Sequence, residues 1–178
     1  MKRQALHIII GLFLALTSCQ NNSTSDKKME TTIDKTKRDQ LVKKYDLLKF
    51  PKIKQPVLLT VDEFFDGNND EASIAPNLET KQPMKEYYKI LKGLADNPKT
   101  IDAFAELKDV MIYDNGQLDD NEWFYTDIIY LIGDLTKEEI KEATKSLQPD
   151  KVEYDMENRI KGLSEKYKDK NVVYVWWD

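Results

Sequence analysis

The run Val172-Val173-Tyr174-Val175-Trp176-Trp177 puts apolar or aromatic side chains on both faces of any strand it forms. A strand with no wettable face belongs inside a sheet. Flanking strands are therefore expected, and the chain offers several. Val57 to Thr60 is a short apolar run, Val110 to Tyr113 and Trp123 to Ile132 are β-rich, and Val152 to Tyr154 is strand-like. Asp114-Asn115-Gly116 reads as the turn between the second and third of these, and Ala72 to Ala75 as a brief strand stopped by Pro76.

Helical spacing alternates with these strands. Leu41, Val42, Tyr45 and Leu48 recur at helical intervals before Phe50-Pro51. Met84, Tyr87, Tyr88, Leu91, Leu94 and Ala95 define one helix face, ending near Asn97-Pro98. Ile101, Phe104 and Leu107 suggest a further helical turn or two. Thr60 with Glu63 and Thr136 with Glu139 are capping boxes; the second opens a helix with Ile140, Ala143 and Leu147 inward. Met156, Ile160, Leu163 and Tyr167 share another helical face. This order predicts an α+β two-layer sandwich, with an antiparallel-rich sheet, helices on one face and a loose likeness to ferredoxin-like folds. Tyr87, Leu91, Ile128 or Ile129, Ile140, Val173 and Val175 are the expected core.

Rare residues exclude much chemistry. The 178 residues contain one His, His7, and one Cys, Cys19. With a single Cys no intrachain disulfide can form, and since both residues lie in the N-terminal stretch of about 20 residues that is set apart from the fold, no Cys/His zinc site, Ser-His-Asp triad or Cys-His pair is expected in the domain. No catalytic residue, resident metal or cofactor is expected, and the five glycines beyond the first are too isolated for a phosphate loop.

Residues 1–18 read as a signal peptide: Lys2 and Arg3 precede an apolar stretch from Leu6 to Leu16, too short to span a membrane. Leu16-Thr17-Ser18-Cys19 resembles the lipobox of bacterial lipoproteins. The resemblance implies cleavage before Cys19 and lipid chains on its sulfur that hold the protein to a membrane; the alternative is an ordinary secretory signal with a chance Cys. Gln20, in place of an Asp, leans towards the outer membrane, facing the periplasm. Residues 19–34 have the composition of a solvated tether, residues 35–55 of a basic helical linker, and residues 56–178 of an acidic domain. Residues 20–55 carry 10 Lys/Arg against 5 Asp/Glu, and residues 56–178 carry 15 against 27, a net of −12. Such a domain repels phosphates, so nucleic acid is not an expected partner.

Phe64-Phe65-Asp66-Gly67-Asn68-Asn69-Asp70-Glu71-Ala72-Ser73-Ile74-Ala75-Pro76-Asn77-Leu78 resembles the signature FFxGNxDxxSIxxNL of a family of small bacterial proteins without an established activity. The resemblance extends through Tyr88, Leu91, Asp120, Trp123 and Asp127 to Val175-Trp176-Trp177-Asp178, and it implies a fold but no mechanism. Asp66, Asn68 and Asp70 also occupy the first three ligand positions of a calcium loop. There the match fails, since Glu71 replaces the required Gly and Asn77 the bidentate Glu. The same side chains suit a loop bonded to its own backbone. Asp119, Asp120 and Glu122 form an acidic cluster before Trp123, and Asp127 shares strand parity with Trp123, Tyr125, Ile129 and Leu131. Asp66, Asn68, Asp70, Ser73, Asn77, Asp119, Asp120, Glu122, Trp123 and Asp127 are thus the candidate binding residues. The functional expectation is a membrane-anchored, non-enzymatic binding module for a cationic protein partner, of which an immunity-type protein is one form. The alternative is a small carboxylate-dependent hydrolase acting on an envelope substrate.

Overall fold

The run from Val172 lies inside a sheet, as its composition requires. The computed structural model describes residues 33–178 apart from 51, 54–55, 114–115, 158 and 161. Among these, five antiparallel strands take the order β1-β2-β3-β5-β4. They are β1 Leu58–Thr60, β2 Thr100–Glu106, β3 Ile128–Gly133, β4 Lys151–Tyr154 and β5 Asn171–Trp176. β5 pairs with β3 on one side and β4 on the other. Helix α4, Lys137–Thr144, joins β3 to β4 with β5 inserted between them, a split crossover shared with ferredoxin-like folds. In the first half β1 and β2 are direct neighbours, although helices α2, Val61–Phe65, and α3, Met84–Ala95, lie between them in sequence.

Register sorts the side chains into two apolar layers. Leu59, Ala105, Ile129, Val175 and Val152 form one row across the sheet, and Ala103, Leu131 and Val173 the next. This face packs against Leu41 and Val42 of helix α1, Lys35–Tyr45, Phe64 and Phe65 of α2, Tyr87, Leu91 and Leu94 of α3, and Ile140 of α4. The expected core residues are all buried there or on the reverse face. On that reverse face Ile128, Tyr130, Ile132 and Tyr174 meet Ile160, Leu163 and Tyr167. The covering segment contains only a short helix, α5, Leu163–Lys166, and Met156 is 88% exposed rather than inward. So α1 to α4 occupy one face, and a mostly irregular strap occupies the other.

Both capping boxes form, with Thr60 and Thr136 each accepting from the backbone N–H three residues on and Glu63 and Glu139 reaching back. Elsewhere the structure corrects the expectations. Thr100–Glu106 is a strand, not helical turns: Ala103 and Ala105 alternate inward, and their small side chains let α3 pack closely on β2. Ala72 to Ala75 is not a strand; a 3-10 turn at Glu71–Ser73 leads to Ile74, which makes an isolated bridge to Thr126. Residues 110–113 and 123–127 form no strand and make isolated bridges only. The expected Asp114-Asn115 turn lies outside the described residues. In α4 it is Thr144, donating to the Ile140 carbonyl at 2.8 Å, that turns inward, and Ala143 is exposed.

The largest departure is at residues 35–49, expected to be a linker outside the domain. Helix α1 and the 3-10 turn Leu47–Lys49 are part of the folded unit, with Leu41, Val42 and Leu47 buried in the main core. Counted from Asp34, the unit carries 23 Lys/Arg against 30 Asp/Glu, a net of −7 rather than −12.

Tyr87 makes the fold sensitive to alkali. Its ring is fully buried, 5.9 Å from the Trp177 ring, and burial pushes its phenol up to about 12 from the usual 10.0. The folded chain keeps this proton where the unfolded chain loses it. The stabilisation is therefore full below pH 10 and lost as pH rises towards 12, a fall of about 2 kcal/mol. Urea unfolding across this range is expected to show the fall, and Tyr87→Phe to reduce it. An unchanged profile in Tyr87→Phe would assign the loss to other groups, such as Tyr130, whose phenol is also raised by burial.

Candidate functional site: two acidic loops joined beneath a basic helix

The loop after α2 is built by short polar side chains bonding its own backbone. Asn68 Oδ1 accepts from the Asp70 N–H at 3.0 Å, and Asn68 Nδ2 donates to Ser73 Oγ at 2.9 Å. Asp70 Oδ1 caps the 3-10 turn by accepting from the Ala72 N–H at 2.9 Å. Its other oxygen accepts from the Trp123 N–H at 3.0 Å. Three residues on, the Thr126 N–H donates to the Ser73 carbonyl at 2.9 Å. Two segments some fifty residues apart are thereby stitched together, and Asn68, Asp70 and Ser73 are buried in doing so. These bonds use the oxygens that a calcium loop would turn towards its ion. Among the described residues no group of three or more His, Cys, Asp or Glu side chains could hold a metal.

Helix α1 lies over this junction. Asp34 caps it by accepting from the Lys37 N–H at 3.2 Å, and the Asp34 N–H donates to the Gly67 carbonyl at 2.9 Å. Gly67 has φ +87°, and a Cβ there would stand 2.7 Å from the Asp34 Cβ. The glycine thus serves both the turn and the approach of the helix. Arg38 is 4% exposed, and its guanidinium donates to the Asp119 carbonyl and to the Glu122 carbonyl, the latter at 3.2 Å. Asp39 Oδ1, 3.3 Å away, completes its pairing. A buried guanidinium needs such partners, because stripping its hydration costs several kcal/mol.

The candidate acids therefore meet cations of their own chain. Lys37 pairs with Asp66, and Lys35 with Asp120 at 3.1 Å. Asp119 accepts from the Tyr113 hydroxyl and from the Asn121 N–H at 2.8 Å, and these bonds, the tyrosine's first, hold its carboxyl below the usual carboxylate range. Glu122 contributes its carbonyl to Arg38. Asn77 is exposed at the far end of the loop. Trp123 is 2% exposed and packs 5.3 Å from the Phe124 ring, so it lies beneath the surface.

Asp127 stands apart from this group. Strand pairing begins only at Ile128, so the parity that placed Asp127 on an apolar face does not extend to it. Its carboxylate accepts from Trp176 Nε1 at 3.3 Å and lies 4.0 Å from Lys108 Nζ, which also pairs with Glu106 at 2.9 Å. Glu106, at the end of β2, and Lys108, two residues beyond it, were not singled out in the sequence, because this stretch was read as helix. Arg38, Lys35 and Lys37 were missed for a different reason: nothing local to α1 marks their partners.

The molecule is thus an α+β domain whose signature loop is a clasp between distant segments. Residues 36–174 match the family model described as Uncharacterized protein YfbO family, and the chain belongs to that family. The match opens within α1, so the helix that closes the clasp belongs to the family's shared unit. No curated protein and no solved structure matches the chain.

Proposed function

We propose that the chain is an envelope lipoprotein, held to the outer membrane by lipid on Cys19, whose domain is a non-enzymatic binding module for a cationic protein partner. Blocking of a basic toxin in the periplasm, as by an immunity-type protein, fits this reading. The leader and lipobox support the anchor; they lie outside the described residues, among which no helix is long and apolar enough to cross a membrane. The observation that carries the binding reading is the joining of the two acidic loops into one surface whose carboxylates stay accessible. Asp66 is 65% exposed and Asp120 74%, and their lysine partners are half-exposed. Exposed ion pairs of this kind contribute about 0–1 kcal/mol. A partner's cations can replace those lysines at little cost, while the net −7 of the unit speeds encounter.

Cys19→Ser is expected to abolish incorporation of labelled palmitate and to move the protein out of the membrane fraction. Lipid-free wild-type protein by mass spectrometry would overturn the anchor. A basic partner recovered from envelope extracts at low salt, and lost both at high salt and in the Asp119→Asn, Asp120→Asn double variant, supports the binding module. Hydrolysis of a cell-wall substrate, abolished by Asp127→Asn, would replace it with an enzyme.

A further inference from the structure

Beside the clasp, α1 and the paired segments 111–113 and 117–119 border a surface groove of about 660 Å³. The two segments are held together by the Tyr113 N–H donating to the Gln117 carbonyl at 2.8 Å and the Asp119 N–H to the Met111 carbonyl at 3.1 Å. Val42 and Leu118 line the groove, and Leu48 and Tyr113 stand in its lining 55% exposed. Large apolar side chains that exposed are few among the described residues, and two of them share this groove. Asp39, Asp119 and Asp120 border it; Asp39 is 62% exposed and Asp120 74%. The Arg38 guanidinium is spent on carbonyls beneath the surface.

We propose that this groove takes a short basic segment of the partner protein, one of its apolar side chains seated between Leu48 and Tyr113 and its Lys or Arg groups on Asp39, Asp119 and Asp120. The proposal rests on the cationic-partner reading and adds to it a place and a mixed chemistry. Charge alone brings a cation to any acidic face, whereas an apolar contact flanked by three carboxylates selects a segment carrying both kinds of side chain. Tyr113 serves twice, since its hydroxyl holds Asp119 in position while its ring offers contact area.

The test uses the full chain in detergent and two labelled peptides, one alternating Lys and Leu and one of Lys alone, followed by fluorescence anisotropy. The Lys-Leu peptide is expected to bind roughly tenfold more tightly than the Lys peptide, Leu48→Lys and Tyr113→Ala each to remove most of that advantage, and Asp120→Lys to weaken both peptides. Ile101→Lys, at an equally exposed apolar residue outside the groove, is expected to leave the advantage intact. Equal binding of the two peptides, or binding unchanged in Leu48→Lys and Tyr113→Ala, overturns the groove. If that binding is still lost at high salt, the cationic-partner reading survives the groove's failure. Failure of the wild-type chain to bind either peptide overturns the groove as well, and the pull-down from envelope extracts then decides the broader reading separately.

Discussion

Gly133→Ala is expected to cost about 3 kcal/mol or more, a large effect for one methyl group. Gly133 ends β3 with φ +154°, and a Cβ there would stand 2.1 Å from the Lys99 carbonyl oxygen and 2.9 Å from the Thr100 Cα. Both are backbone atoms, so no side-chain rotation relieves the contact. The strand cannot yield on its other side either, because Gly133 also pairs with Asn171 of β5 and the Asp134 N–H donates to the Lys99 carbonyl at 2.7 Å. Gly116→Ala is the natural control. Its φ is +79°, but nothing stands within 4 Å of the new methyl group, so only the backbone preference is lost, about 1 kcal/mol. Urea unfolding of both variants would show a large difference. Equal losses would mean that φ alone, and not the crowding by β2, governs the site.

Leu91→Ala is expected to lower stability by about 2–5 kcal/mol. Leu91 is fully buried on the inner face of α3, which also carries Tyr87 and Leu94, in the core that includes Ala103 and Ala105 of β2. Lys85→Ala, on the exposed side of the same helix, is expected to change stability by no more than about 0.5 kcal/mol. A Leu91→Ala loss as small as that would show the helix face to be turned from the sheet.

Features that declare themselves within a few residues were legible in the sequence. Both capping boxes need only a Thr and a Glu three positions apart, and α3 carries its apolar face in one unbroken helical period. β5 announced an interior strand through its own composition. β2 was illegible because Ile101, Phe104 and Leu107, spaced by three, imitate a helix, while the residues that turn inward, Ala103 and Ala105, carry little hydrophobic signal. Residues 110–113 and 123–127 were over-read as strand because β-prone residues there serve isolated bridges and backbone anchors instead. Helix α1 looked like a linker because six of the residues from 35 to 49 are basic and only a few are apolar. What seats it is Arg38 reaching carbonyls more than eighty residues away, which leaves no trace in local pattern. The signature loop was readable as self-bonded, whereas its stitch from Asp70 to Trp123 was not.

The place of β5 between β3 and β4 has a consequence for a chain that is cut short. β5 follows the other four strands in sequence, yet it supplies the hydrogen-bonding partner of one edge of β3 and, among the described residues, of the one paired edge of β4. Without β5, one edge of β3 is unpaired and β4 loses the strand it pairs with. Closure of the sheet therefore rests on the six residues of β5, and a chain clipped before Asn171 presents two adhesive edges to its neighbours.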